Sequence, residues 1–188
     1  MAILKPRISV RGEDRSDPSQ PILIVSNHQG EFDIPILLLC IRRPLGFIAK
    51  RELARIPLVG KWMEIIGCLF VDRQNASAAQ DIIRRGVEAL KTGDSLAIFP
   101  EGTRSDGPEM RRFKVGFARM AIRAGAVILP VAINHTYKMK ARGSYRIQPA
   151  DVTVMIGDPI PMDAYGEKDA LRLTRDVEAS IRAQLELD

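Results

Sequence analysis

Compact apolar runs alternate with longer amphipathic stretches along this chain of 188 residues. The compact runs are rich in Val, Ile, Leu and Phe and end at Gly, Pro or polar residues, a pattern typical of buried strands. They lie at 22–25, 45–49, 69–71, 96–99, 127–133 and 152–156. Pro130 interrupts the 127–133 run, and because proline has no N–H to donate, it indicates an edge strand or a bulge there.

The longer stretches carry apolar residues three or four positions apart, which is the spacing of an amphipathic helix. Such helices are predicted at 34–41, 59–66, 77–90, 113–124 and 170–185, with a helical turn at 50–55. The polar stretch 11–20 predicts a surface loop. Strands that alternate with helices, without a repeat or a linker, predict one α/β domain over residues 1–188.

The charge balance indicates an anionic partner, because the formal net charge is +5. Nucleic acid, a phosphorylated substrate and an acidic membrane surface all fit a basic protein. One Trp and three Tyr are few for stacking on bases, so we expect no nucleic-acid partner. Cys40 and Cys68 lie in apolar surroundings and suggest no disulfide framework, which indicates a reducing, cytoplasmic compartment.

A basic segment leads into the second predicted helix. It carries Arg42, Arg43, Lys50, Arg51, Arg55 and Lys61 against a single acid, Glu52, and runs into Trp62. Bases interleaved with Trp and aliphatic residues are typical of a segment in a membrane interface, although a solvated face over a core contact has the same pattern. No apolar run is long enough to span a bilayer, so we expect membrane contact to be peripheral, on the cytoplasmic side of an anionic membrane.

His28 and Asp33 form the first candidate site, between the 22–25 strand and the 34–41 helix. In α/β folds this edge of the sheet binds ligands. The spacing lets Asp33 accept a hydrogen bond from one imidazole nitrogen, which leaves the other free as a base. This is the His–Asp half of a catalytic triad, for which a substrate alcohol would supply the hydroxyl. Alternatively, Asp33 is only a helix cap, and a metal site that includes Glu31 has few obvious ligands.

The stretch 100–105 follows the 96–99 strand and predicts an anion pocket. Gly102 allows a ligand to approach the backbone closely, and Arg104 offers a guanidinium fork suited to phosphate. Glu101 either accepts from a substrate hydroxyl or positions the turn. If the strands run parallel, these residues share one edge of the sheet with His28 and Arg73, which places a base beside a phosphate pocket.

Other potential catalytic groups fit less well. His135 also follows a strand, but Lys140 rather than an acid stands five residues on, so we expect His135 to be non-catalytic. Ser26 and Ser105 lack the G-x-S-x-G turn of a hydrolase nucleophile.

Four blocks in order resemble the glycerolipid acyltransferase family, of the lysophosphatidic-acid acyltransferase type. The motif N-H-x4-D matches 27–33, a glycine with an apolar run ending in arginine matches 67–73, F-P-E-G-T-R-S matches 99–105, and an apolar strand with proline matches 127–133. The segment 50–60 is similar to the family's usual link between the first two blocks. The resemblance covers about residues 21–135, and Gly30 stands where many members have serine.

The resemblance implies a fold, a reaction and a set of site residues. The fold would be the glycerolipid-acyltransferase fold, a mixed, mostly parallel sheet flanked by helices. His28 would remove the proton from the hydroxyl of 1-acyl-glycerol 3-phosphate as it attacks the thioester of acyl-CoA or acyl carrier protein, giving phosphatidic acid, while Asp33 orients His28. Substrate would be held by Arg73, Glu101, Gly102, Thr103 and Arg104. No metal, cofactor or acyl-enzyme is implied.

Other functions stay open at this point. A sister acyltransferase would use lysophosphatidylglycerol, glycerol 3-phosphate or a lyso-ornithine lipid as acceptor. A thioesterase would use water in place of the alcohol. A non-enzymatic basic module that binds membrane or nucleic acid fits the charge alone, but it leaves the spacing of His28 and Asp33 and the 99–105 block unexplained.

Overall fold

The computed structural model describes residues 7–13, 15–72 and 76–187. Its strands are β1 (Arg7–Arg11), β2 (Ile22–Ser26), β3 (Gly46–Lys50), β4 (Leu69–Val71), β5 (Leu96–Ile98), β6 (Val127–Asn134) and β7 (Asp151–Ile156). Its helices are α1 (Asp33–Cys40), α2 (Val59–Ile65), α3 (Ala76–Thr92), α4 (Gly116–Ala124) and α5 (Ala170–Glu186). Short 3₁₀ turns lie at Arg51–Arg55, Thr136–Lys138, Met162–Ala164 and Glu167–Asp169.

Within the described residues the strands form one seven-stranded sheet in the order β1-β7-β6-β2-β5-β3-β4. Neighbouring strands run parallel except β6 and β7, which are antiparallel. The predicted α/β domain with a mixed, mostly parallel sheet is therefore confirmed. From β2 the chain passes over β5 to form β3, whereas from β5 it passes back over β2 to form β6. The direction in which strands are added to the sheet therefore reverses beside β2. Such a reversal opens the crevice where α/β folds bind ligands.

The core lies on both faces of the sheet, and β2 is buried along its whole length. Leu23 and Val25 face a cluster formed with α3, α4 and α5, whereas Ile22 and Ile24 face a cluster formed with α1 and α2. Successive strand residues point to opposite faces, so a continuous apolar run is what a strand covered on both sides requires. This is why the 22–25 run marks the centre of the sheet.

Two strand predictions need correction. The strand β1 was not predicted, because its residues are mostly exposed and carry Arg at both ends, and it gains order by pairing parallel with β7 at the edge of the sheet. The interpretation of β6 as an edge strand is wrong, since β6 lies between β7 and β2. Pairing opposite Pro130 is nevertheless interrupted as in a bulge: the antiparallel ladder ends at the Val131–Ile156 pair and resumes as an isolated Ile128–Ile160 bridge.

Candidate active site

The segments that follow β6, β2 and β5 meet at one edge of the sheet. These strands are neighbours and run parallel, so their carboxyl ends lie side by side. Asn27 joins two of the segments from a nearly fully buried position. Its side-chain amide donates to the Ile133 carbonyl at 2.8 Å and accepts from the Ile133 N–H at 2.8 Å. The asparagine side chain thus continues the hydrogen-bond ladder between β2 and β6 at the point where the β2 backbone turns away. It thereby fixes the position of the next residue, His28.

The structure brings His28 and Asp33 together. Nδ1 of His28 lies 2.6 Å from Oδ2 of Asp33, and the Asp33 side chain is fully buried. The same oxygen accepts the backbone N–H groups of Gln29 at 2.7 Å and Gly30 at 3.0 Å, and Oδ1 accepts from the Thr136 hydroxyl. A carboxylate held in this way favours the imidazole tautomer with its proton on Nδ1, so Nε2 is left as the base.

The alternative that Asp33 is only a helix cap does not fit this geometry. Asp33 is the first residue of α1, and its hydrogen bonds go back to the N–H groups of the preceding loop. The loop packs tightly here, because a Cβ atom added at Gly30 would lie 3.2 Å from the Thr136 carbonyl oxygen. Glycine in place of serine at this position fits that close contact.

His28 also contacts the segment after β5, through its ring and through its backbone carbonyl. Its ring stacks on Phe99, with centroids 4.2 Å apart and planes 19° apart. Its carbonyl accepts from the Ser105 N–H at 2.8 Å. The histidine side chain keeps 18% of its surface exposed, so part of it remains open to solvent.

Glu101 links His28 to a distant segment. One carboxylate oxygen accepts from the His28 N–H at 2.7 Å and the other from the Arg111 N–H at 2.9 Å. Burial raises the pKa of Glu101 above its ordinary value, although both N–H bonds act in the opposite direction. Because both oxygens accept backbone bonds, the geometry favours the positioning role for Glu101, and its contact with substrate stays a prediction.

The remaining predicted substrate-binding residues lie on the loop after Glu101. Gly102 has a φ of +76°, a left-handed backbone conformation that favours glycine at this turn. Thr103 is exposed. Arg104 donates to Glu31 at 2.7 Å, and the other Glu31 oxygen accepts from Lys140. Arg73 lies outside the described residues, so its role stays a prediction.

An apolar cavity of about 330 Å³ lies beside this loop, between β5 and the helices α3 and α4. Its lining includes Ile82, Ile98, Phe99, Gly102, Lys114 and Phe117. Phe99 therefore separates the cavity from His28, because it lines the one and stacks on the other. The arrangement combines a base, an apolar cavity and nearby cations.

Metal ligation was the other possibility for His28, Glu31 and Asp33. Among the residues that the structure describes, no group of three His, Cys, Asp or Glu side chains is placed to hold a metal ion. Glu31 instead pairs with Arg104 and Lys140.

The family model described as "Acyltransferase" matches residues 7–134. The chain belongs to the acyltransferase family. The 1-acyl-sn-glycerol-3-phosphate acyltransferase of Borreliella burgdorferi is 33% identical over 130 residues, which cover 69% of this chain and 52% of that protein. The protein of the same name from Cocos nucifera is 32% identical over 169 residues, 89% of this chain and 54% of that protein. This chain thus spans about half the length of these relatives.

A solved acyltransferase structure has the same fold. The 1-acyl-sn-glycerophosphate acyltransferase PlsC from Thermotoga maritima superposes with a TM-score of 0.85 at 29% identity, covering 97% of this chain and 72% of that one.

Sequence reasoning missed two members of this side-chain network. Thr136 follows β6 and donates to Asp33 across a separation of 103 residues. Lys140 reaches Glu31 from the same segment. A hydroxyl and a lysine after a strand are common, so the only useful signal was that β6 ends at the same sheet edge as β2. The His135 N–H donates to the Asn134 side chain at 2.9 Å, and the non-catalytic role expected for His135 stays a prediction.

Proposed function

We infer that this chain transfers a fatty acyl group from an acyl thioester to the free hydroxyl of 1-acyl-glycerol 3-phosphate, giving phosphatidic acid. The observation that carries the proposal is the His28–Asp33 pair, in which Asp33 is fully buried and part of the His28 side chain is exposed to solvent. The apolar cavity beside Phe99 suits an acyl chain, and the cationic side chains of Arg104 and Lys140 suit a phosphate. Relatives named for this reaction support the choice of acceptor.

The proposed chemistry follows from the geometry of His28. Nε2 accepts the hydroxyl proton as the oxygen attacks the thioester carbonyl, and the buried Asp33 carboxylate stabilises the imidazolium that forms. When the tetrahedral intermediate collapses, the C–S bond breaks, the new C–O ester bond remains, and the imidazolium gives its proton to the departing thiolate. The acyl group passes directly to the acceptor, without an acyl-enzyme. The thioester is already activated, so the proposed reaction needs positioning and a base rather than a cofactor. Acyl-CoA and acyl carrier protein are both suitable donors.

We also propose peripheral contact with an anionic membrane through the apolar tip, which we define as the exposed apolar residues Ile56, Leu58, Val59, Trp62 and Ile65. Leu58 is 87% exposed and Ile65 is 74% exposed. Arg51, Arg55 and Lys61 are exposed on the same short segment. In the described part of the chain, no helix is long and apolar enough to cross a bilayer. Apolar side chains with neighbouring cations suit the boundary between acyl chains and anionic headgroups.

The test of the reaction is thiol release from palmitoyl-CoA, with and without 1-acyl-glycerol 3-phosphate. We expect release that requires the acceptor and that falls by about a hundredfold or more in His28→Ala, which removes the base. His135→Asn is the matched control, because asparagine tolerates the left-handed backbone of that residue (φ 72°), and it should keep wild-type activity.

Other outcomes would redirect the assignment. Release without any acceptor would favour the thioesterase. Release that requires glycerol 3-phosphate or another lysolipid instead would favour a sister acyltransferase. Folded protein in vesicles that is inactive with acyl-CoA and acyl carrier protein alike would overturn the proposal.

A further inference from the structure

Three charged side chains from segments that are far apart in sequence meet at the loop that carries His28. Glu31 lies on the loop after β2, Arg104 on the loop after β5, and Lys140 on the segment after β6. Arg104 Nη1 contacts one Glu31 carboxylate oxygen at 2.7 Å, and Lys140 Nζ contacts the other. The side chains of Arg104, Glu31 and Lys140 keep 37%, 48% and 22% of their surface exposed, so a ligand from solvent can reach them. We call this arrangement the Glu31 clasp.

The clasp has the form of an occupied anion site. A carboxylate offers one oxygen to each cation, as a phosphate group would offer two of its oxygens. The Lys140 ammonium, followed by the Arg104 guanidinium, holds the pKa of Glu31 below its ordinary value, which shows that the position favours negative charge. Ion pairs with this much exposure are weak, so a stronger anion can replace the carboxylate.

We propose that Arg104 and Lys140 bind the phosphomonoester of the acceptor, and that Glu31 occupies their site until the phosphate displaces it. This inference rests on the proposed function, and it adds Lys140 as a binding residue and Glu31 as an internal competitor. Glu31 has an exposed side chain that can turn into solvent when displaced.

The charge balance gives the site a preference. Arg104 and Lys140 carry two positive charges, and Glu31 neutralises only one of them. A dianionic phosphomonoester neutralises both, whereas a phosphodiester such as that of lysophosphatidylglycerol brings one negative charge, no more than Glu31 already supplies. The clasp therefore favours 1-acyl-glycerol 3-phosphate over a phosphodiester lysolipid.

The test is a binding measurement without acyl donor, so it does not depend on turnover. Isothermal titration calorimetry of the full chain with 1-hexanoyl-glycerol 3-phosphate, below its micelle concentration, reports the acceptor Kd. We expect Lys140→Gln to weaken binding about tenfold, because one charge-assisted hydrogen bond is lost, and Lys140→Arg to restore most of it. Glu31→Gln should tighten binding about threefold, because the competing carboxylate is gone. Lys138→Gln removes the same charge two residues away and should leave the Kd unchanged.

The opposite signs at Lys140 and Glu31 separate this site from a merely structural ion pair. If Glu31→Gln weakens binding as Lys140→Gln does, Glu31 supports the site and the competitor role is overturned. If Lys140→Gln and Lys138→Gln behave alike, or if 1-hexanoyl-glycerol without phosphate binds equally well, the phosphate site is overturned. If wild type transfers the acyl group and Lys140→Gln leaves the acceptor Kd unchanged, only the role of the Glu31 clasp is overturned. If binding depends on the phosphate but no acyl group is transferred, only the acyltransferase proposal is overturned.

Discussion

The Asp33 carboxylate illustrates how much of the site depends on single hydrogen bonds. Its spacing from His28 made the pair predictable, because only the short loop between β2 and α1 separates His28 from the first residue of the helix. The Thr136 hydroxyl on Oδ1 was not predictable, since it comes from a segment 103 residues away. The same holds for the contact between Glu31 and Lys140, which are 109 residues apart. Local spacing therefore identifies the His28–Asp33 pair, whereas the groups that hold it in place are set by the sheet order.

We propose that Thr136 is a positioning residue for the His28–Asp33 pair, a role that can be measured. We expect Thr136→Val to lower kcat about tenfold with little change in KM, because a buried carboxylate oxygen loses its donor and Asp33 holds His28 less well. Thr136→Ser keeps the hydroxyl and should retain most of the activity. Steady-state kinetics of the two variants tests this, and equal activity of Thr136→Val and wild type would show that the backbone N–H groups suffice to hold Asp33.

Among the elements, the strands with continuous apolar runs were the most predictable, because burial on both faces leaves a plain signal. The strand β1 lacked that signal, since pairing with β7 rather than its own apolar content orders it. The position of β6 was misjudged for a related reason: Pro130 restricts only local pairing, and the register with β2 and β7 depends on the whole sheet.

The apolar tip is an element whose exposure the sequence left open. Leu58 adopts a φ of 66°, a strained conformation for leucine, and yet its side chain is 87% exposed. We expect Leu58→Asp with Trp62→Ala to reduce flotation with vesicles of phosphatidylcholine and phosphatidylglycerol at least fivefold, because insertion of the apolar side chains is lost. Activity on monomeric short-chain substrates should not change.

The control for that experiment is Leu171→Asp on α5. Leu171 is 68% exposed, and α5 packs against the opposite face of the sheet from α2. The Leu171→Asp variant should float with the vesicles to the same extent as wild type. Equal loss of flotation in both variants would indicate binding by net charge alone, and unchanged flotation of the tip variant would rule out the tip as the docking surface.

At the scale of the whole molecule, Glu101 connects the site to the C-terminal helix. Its partner Arg111 lies on a segment that α5 also holds: Glu178 accepts from the Phe113 N–H at 3.0 Å, and Arg182 donates to the Met110 carbonyl at 3.2 Å. This segment replaces the start of the helix predicted at 113–124, and α4 begins only at Gly116. A helix outside the family motifs thus supports the loop on which His28 depends.

The raised pKa of Glu101 makes the stability of the fold depend on pH in a defined direction. Burial makes the folded chain bind the Glu101 proton more tightly than the unfolded chain does. The stabilisation linked to that proton is complete below the ordinary Glu pKa of about 4.3 and is lost as pH rises through the higher folded value. We expect Glu101→Gln, which resembles the protonated side chain, to match wild type in denaturant unfolding at low pH.

At neutral pH the same variant should be at least as stable as wild type, because it avoids the buried charge. It should nevertheless be less active, since glutamine offers one acceptor oxygen for two N–H groups. A Gln variant that is less stable than wild type at neutral pH would show that the two backbone bonds outweigh the burial of the charge.

The hydrogen bonds between Asn27 and Ile133 and between Thr136 and Asp33 also depend on the order in which the chain is synthesised. Ribosomes add about 5 to 20 residues per second, so roughly 5 to 20 seconds pass between the emergence of Asp33 and that of Thr136, 103 residues later. Between the emergence of Ser105 and that of Thr136, the nascent chain contains both the N-H-x4-D and the F-P-E-G-T-R-S motifs. Until β6 has emerged it lacks Ile133, which anchors Asn27, and it also lacks Thr136, the donor that follows β6 and binds Asp33. Two of the motifs by which the family is recognised, N-H-x4-D and F-P-E-G-T-R-S, are therefore complete before the hydrogen bonds that orient His28, the proposed base, can form.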